Sequence, residues 1–392
     1  MSKSTCLSYY CAILLASTPV FSQQATQTAT LEPAATHAVA HVYVATPKGV
    51  KLYDAASNGE LTLVSGSPFA GKFTDMVTNG KYFYGTDGTL VYEESVGPTG
   101  ALKVTGTTNP ADFDSGSTGV SSLVLDHSGS YLYCNLQAGS GGKFYQSYSV
   151  GKSNGDLTYT GTAGNGRDYG DGVGPVHPLG NNHFAFSTQN YFTWYLAGFG
   201  IESNGALTSE IEETAFPIAK SGDGYNPYVI TAGPTNQLIA AVYPQQSPPD
   251  GPTDGPTQLA VYTSDGSGIL STNSTYENMP VVQVGSVYDM NFSPSGKLLA
   301  VGGNTFNYTG LTKPTGLQVF HFNGASPITK YTGLLTTAPI DQIRWDNSNH
   351  LYAVSKSANK LYVFTVTPIS ASQAPGSPYT IAGAQRILVR PM

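Results

Sequence analysis

Seven polar residues stand at matching places along the chain, each just before the apolar residue that anchors a short strand. They are Asp75 before Met76, Ser122 before Leu123, His177 before Pro178, Tyr228 before Val229, Asp289 before Met290, Gln342 before Ile343 and Arg386 before Ile387. Hydrolysis of an ester or lactone needs a set of this kind. An imidazole titrates near neutrality, so His177 is the candidate general base. A guanidinium grips an oxyanion or carboxylate through paired N–H groups, so Arg386 is the candidate for binding charge. Asp75 and Asp289, two repeats to either side of His177, are suited to orienting a water or polarising the imidazole. Gln342, Tyr228 and Ser122 are candidate substrate contacts. Tyr225, in Tyr225-Asn-Pro-Tyr228, is a candidate cover over a ligand, with Pro227 fixing the entry of its loop. A water-filled channel also selects polar rim residues without any chemistry, so the ring admits two readings, a working site and a solvated structural rim.

The elements that must position this ring repeat about every 50 residues. Apolar-aromatic strands recur at His41-Val-Tyr-Val-Ala, Tyr82-Phe-Tyr-Gly, Tyr131-Leu-Tyr-Cys, His183-Phe-Ala-Phe, Leu238-Ile-Ala-Ala-Val, Leu298-Leu-Ala-Val and Leu351-Tyr-Ala-Val. Each is followed by a second strand, a turn and a third. The turns are alike: SNGEL at 57–61, PTGAL at 98–102, SNGDL at 153–157, SNGAL at 203–207 and GSGIL at 266–270. Asn-Gly supplies the positive φ angles of a tight hairpin. One further strand precedes each unit, as in Val287-Tyr-Asp-Met-Asn-Phe. Four strands, here a to d, repeated seven times, predict an all-β, seven-bladed β-propeller with four-stranded antiparallel blades. The first repeat lacks strand a, and residues 384–391 read as a strand a without a unit. The C-terminal strand is therefore expected to pair with the N-terminal blade and close the ring, removing its exposed edges. In such a ring strand a is innermost, so the seven polar residues line the channel mouth.

The repeat style, the SPSGK turn at 293–297, the GSPF and GSPY segments at 66–69 and 376–379, and Gly174-Pro175-Val176-His177 together resemble the lactonase-like seven-bladed propellers. That family includes 6-phosphogluconolactonase and carboxy-muconate cyclase types. The resemblance covers about residues 41–392. It implies a hydrolase acting on a small sugar-derived or cyclic ester. The family's hallmark runs Gly-Pro-Arg-His, then on to an Asn-Glu pair, with His, Arg and Glu as acid-base and carboxylate-binding groups. Gly174, Pro175 and His177 match it. Val176 stands in place of the arginine, the next turn is shortened to Leu179-Gly-Asn-Asn, and Ser187-Thr-Gln-Asn190 carries no glutamate. The alternative reading is a non-catalytic propeller that binds a glycan or protein through loops on one face.

Composition excludes several classes. Only 11% of residues are charged and the net charge is −7, with no Lys/Arg cluster, so no nucleic acid partner is expected. There is no nucleophile elbow and no phosphate loop leading into a helix. No cofactor is expected, and no Cys/His spacing suits zinc. Asp168 and Asp171 lie among glycines, and Asp250-Gly-Pro-Thr-Asp254 forms a second acidic loop. A plain acidic loop is the default reading of both, with calcium as the alternative. Asn273-Ser-Thr and Asn307-Tyr-Thr fit the glycosylation pattern. Residues 1–22 have the layout of a cleavable secretory signal, with Lys3 before the apolar Ala12–Ala16 stretch and small residues ahead of Ser22. Residues 23–40 read as a tether, and residues 41–392 as the propeller. The mature protein is then secreted or periplasmic and not transmembrane. It keeps only Cys134, read as a buried structural thiol.

Overall fold

A computed structural model describes residues 37–112, 117–138, 143–164, 175–190, 193–244, 255–305, 307–308, 311–312, 314–324 and 328–392. The two acidic loops, residues 1–36 and the side chain of Asn190 lie outside the described residues. Seven antiparallel blades are present, and their strands pair in the order a-b-c-d. The strands a, in ring order from blade 1, are Arg386–Pro391, Asp75–Thr78, Ser117–Leu125, His177–Leu179, Tyr225–Ala232, Ser286–Phe292 and Gln342–Trp345. Among the described residues the fold is all-β apart from one 3-10 turn at Pro110–Asp112.

Blade 1 takes strands from both ends of the chain. Ala40–Thr46 pairs on one side with Gly49–Ala55 and on the other with Arg386–Pro391, in register from Ala40↔Pro391 to Ala45↔Arg386. The missing strand a of the first repeat and the unpartnered strand at the C-terminus complete each other. This pairing satisfies two backbone edges that would otherwise be open to solvent or to another chain.

Among the described residues the core is distributed around the ring as clusters, each between two neighbouring blades. Cys134 belongs to this packing between blades 2 and 3. It is buried and unpaired, and burial pushes its thiol far above the ordinary range.

Tyrosines on strand b also join one blade to the next. Tyr43 donates its hydroxyl to the Gly100 carbonyl at 2.8 Å, Tyr84 to Gly155 at 2.9 Å and Tyr133 to Gly205 at 2.9 Å. The acceptors are the glycines of the PTGAL, SNGDL and SNGAL turns. Those turns are thus hairpin tips and sockets at once. Gly205 has φ +88°, and a Cβ there would meet the Tyr131 ring at 2.0 Å. Gly222 has φ +93° with nothing within 4 Å of the same point. Gly205→Ala is therefore expected to cost about 2–4 kcal/mol, combining backbone strain with overpacking, and Gly222→Ala about 1 kcal/mol from strain alone. Urea unfolding of the two variants checks this, and equal losses would contradict the socket.

Candidate active site at the channel mouth

Strands a from all seven blades line one cavity of about 360 Å³ in the central channel. Six of the seven ring residues meet there: Asp75, Ser122, His177, Asp289, Gln342 and Arg386. Tyr228 does not. Blade 5 contributes Val229 and Thr231 instead, two residues apart as Asp289 and Asn291 are in blade 6. Tyr228 is itself the bulged residue between Pro227 and Val229, whereas Ser122 and Asp289 follow the equivalent bulges of blades 3 and 6. Tyr228 is re-aimed onto Tyr243, with ring centroids 4.2 Å apart, and hydrogen-bonds with Ser286 and Thr257.

Tyr225 is a second correction. It is not among the residues that line the cavity. It is 3% exposed, packed with Leu238, Leu270 and Met279, and its hydroxyl donates to Gln258 Oε1 at 2.6 Å.

Much of the ring braces the fold. Strand a is the inner edge of each blade, so its channel-facing N–H groups lack a ladder partner. Asp75 Oδ2 accepts the Leu123 N–H at 2.9 Å, Asp289 Oδ2 the Ile343 N–H at 2.7 Å, and Gln342 Oε1 the Ile387 N–H at 2.5 Å. In each case a ring side chain holds the apolar anchor that follows a ring residue on another blade. Arg386 Nε donates to the Thr74 carbonyl at 2.7 Å, linking blades 1 and 2. Asp75 thus orients strand a of blade 3, and no contact ties it to His177.

His177 has no such duty. Its Nε2 is buried without a hydrogen-bond partner among the described residues, and its ring lines the cavity. Desolvation, aided by the positive charge of Arg344, lowers its pKa from 6.5 to about 4. The imidazole is therefore neutral at pH 7.

Arg344 is the residue that sequence reasoning missed. Its Nη1 donates to Asp289 Oδ2 at 3.0 Å and to the Ile343 carbonyl at 2.6 Å. Burial pushes the Asp289 carboxyl up, against the pull of Arg344, the Ile343 N–H and Arg386. Two guanidinium groups, from blades 7 and 1, therefore flank one acidic side chain across the channel from a neutral imidazole. The signal was available, since Arg344 lies two residues after Gln342 and alternation puts both on one face of the strand. Val176, at the place the family resemblance gives to an arginine, is 1% exposed and packed with Tyr133, Phe184 and Phe186. The charge that blade 4 lacks enters from blade 7.

No family model matches the chain, and no curated protein does. Solved structures do. A protein named a putative 6-phosphogluconolactonase from Bacteroides uniformis superposes with a TM-score of 0.65 at 13% identity, covering 89% of this chain and 99% of its own. Another of that name, from Bacteroides fragilis, gives 0.63 at 13%, covering 91% and 99%. A Lactobacillus plantarum protein gives 0.63 at 13%, covering 89% and 99%. This chain shares their seven-bladed fold. No helix among the described residues is long and apolar enough to cross a membrane.

Proposed function

We propose that the protein hydrolyses a small anionic lactone or cyclic ester in the channel-mouth cavity. The observation that carries this reading is a neutral His177 sharing one 360 Å³ cavity with two arginines. Arg344 and Arg386 hold the anionic group of the substrate, each with guanidinium nitrogens beyond those already hydrogen-bonded. Because Nε2 is buried, Nδ1 of His177 is the nitrogen that takes a proton from water. The resulting hydroxide attacks the carbonyl carbon. The ring C–O bond then breaks, the imidazolium returns its proton to the leaving oxygen, and a hydroxy acid is released. A bound anion offsets the Arg344 charge and so raises the basicity of His177 when substrate is present. Residues 1–22 would direct this reaction outside the cytoplasm; recovery of the chain only from the cytoplasmic fraction would remove that part.

The test is turnover of a panel of anionic and neutral lactones by the full chain. Its pH dependence is specific. In the free enzyme His177 protonates near pH 4, so kcat/KM should stay level from about pH 7 to about pH 5 and fall with a midpoint near 4. Arg344→Gln removes one of the two causes of that shift and should move the midpoint upward, still below 6.5 because desolvation remains. A wild-type midpoint at 6.5 would show that another environment, or another group, controls the reaction.

A second reading has its own support. Asp75, Asp289, Gln342 and Arg386 all brace neighbouring strands, as a binding scaffold with a structural rim would need. Tight binding of a lactone without turnover would favour that reading.

A further inference from the structure

We infer that Tyr288 is a specificity residue that selects a ligand with a flat, unsaturated or aromatic ring; this rests on the anion site proposed above. Tyr288 lines the cavity, yet it is 49% exposed. It sits on a bulge between Val287 and Asp289, where the ladder skips one residue and turns its side chain out of register. Bulges of this kind recur beside binding sites, because they aim a side chain that a regular strand would point elsewhere.

Blade 5 supplies the control. Its bulge, between Pro227 and Val229, carries Tyr228, and that ring is held by Tyr243, Ser286 and Thr257. Tyr288 occupies the matching position with neither a ring contact nor a side-chain hydrogen bond among the described residues. One bulged tyrosine is built into the wall, and the next presents an open aromatic face at the mouth. It lies immediately before Asp289, the partner of Arg344. An anion held by Arg344 therefore leaves the rest of its molecule beside the Tyr288 ring. An aromatic face rewards a flat apolar ring through offset or edge contacts, and rewards a puckered ring less.

The experiment compares benzoate with cyclohexanecarboxylate, equal in charge and similar in size, by calorimetric titration of the full chain. Benzoate is expected to bind about three- to tenfold more tightly. Tyr288→Leu should erase that difference and Tyr288→Phe should keep it. Because Tyr288 is half exposed and unbonded, both variants are expected to fold, which a thermal melt verifies. Equal binding of the two acids by wild type, or a difference that persists in Tyr288→Leu, overturns the ring preference and leaves the anion site standing. If neither acid binds, the anion site is wrong and the inference falls with it.

Discussion

His177→Ala lowers kcat/KM for a hydrolysed lactone by about 10²- to 10⁴-fold, the range associated with loss of a general base. The cavity's three carboxylates are each engaged elsewhere; Asp341 Oδ2 accepts the Lys356 N–H at 2.8 Å. Asp75 and Asp289 each hold a backbone N–H of another blade, and Asp289 is also paired with Arg344. Gln342 has no basic group. His177 is neutral, and its buried Nε2 has no hydrogen bond among the described residues. Its removal breaks no hydrogen bond among the described residues, so the unfolding midpoint should stay close to that of wild type. Steady-state kinetics with a melt on the same preparation separates the two effects. Retained turnover in a folded variant would take the base role away from His177.

Asp346→Ala is expected to have the largest effect on stability, a loss of about 3–5 kcal/mol. Asp346 is fully buried in the turn between strands a and b of blade 7. Its Oδ2 bonds His350 Nδ1 at 2.7 Å and accepts the Tyr352 hydroxyl at 2.8 Å, while Oδ1 accepts the His350 N–H at 2.9 Å. His350 and Tyr352 are themselves 0% exposed, so the substitution strands several buried polar groups at once. The cluster also backs the joint where the ring closes. A Cβ at Gly59, in the first blade's SNGEL turn, would lie 3.1 Å from His350 Cδ2. Burial alone would raise the Asp346 carboxyl, but the bonds from His350 and Tyr352 outweigh it and hold the pKa below 3.8. A depressed carboxyl stabilises the fold above its unfolded pKa and stops doing so as pH falls through the folded one. The Asp346 contribution is therefore complete above about pH 5 and disappears only in strong acid. Urea titrations of wild type and Asp346→Ala at neutral pH measure the loss, and a difference under about 1 kcal/mol would contradict it.

The architecture was legible because its evidence is periodic. Strand alternation, Asn-Gly turns and the matching surplus and deficit at the two ends all follow from local chain chemistry. The sockets were less legible. The Asn-Gly turns announce hairpins, but the tyrosine that enters the Gly205 turn comes from 72 residues away. No short-range pattern links those positions. Six ring residues line the cavity, and Tyr228 does not, because it is the bulged residue of its strand while Ser122 and Asp289 follow the bulges of theirs. The same device, one blade on, brought Tyr288 to the mouth. Arg344 escaped for a different reason. Aligning one position per repeat records one layer of the channel, and Arg344 stands in the next. Position 176 carries no arginine, and the cavity draws its second cation from Arg344 on the other side of the ring.

The most direct test of the whole account is turnover of anionic lactones by wild type, His177→Ala and Arg344→Gln, measured from about pH 4 to about pH 8. Wild type is expected to hydrolyse them with an acid limb near pH 4, His177→Ala to lose turnover, and Arg344→Gln to show the limb displaced upward. Lactones that bind wild type and are released unchanged across the whole range would contradict it and leave the cavity a binding site.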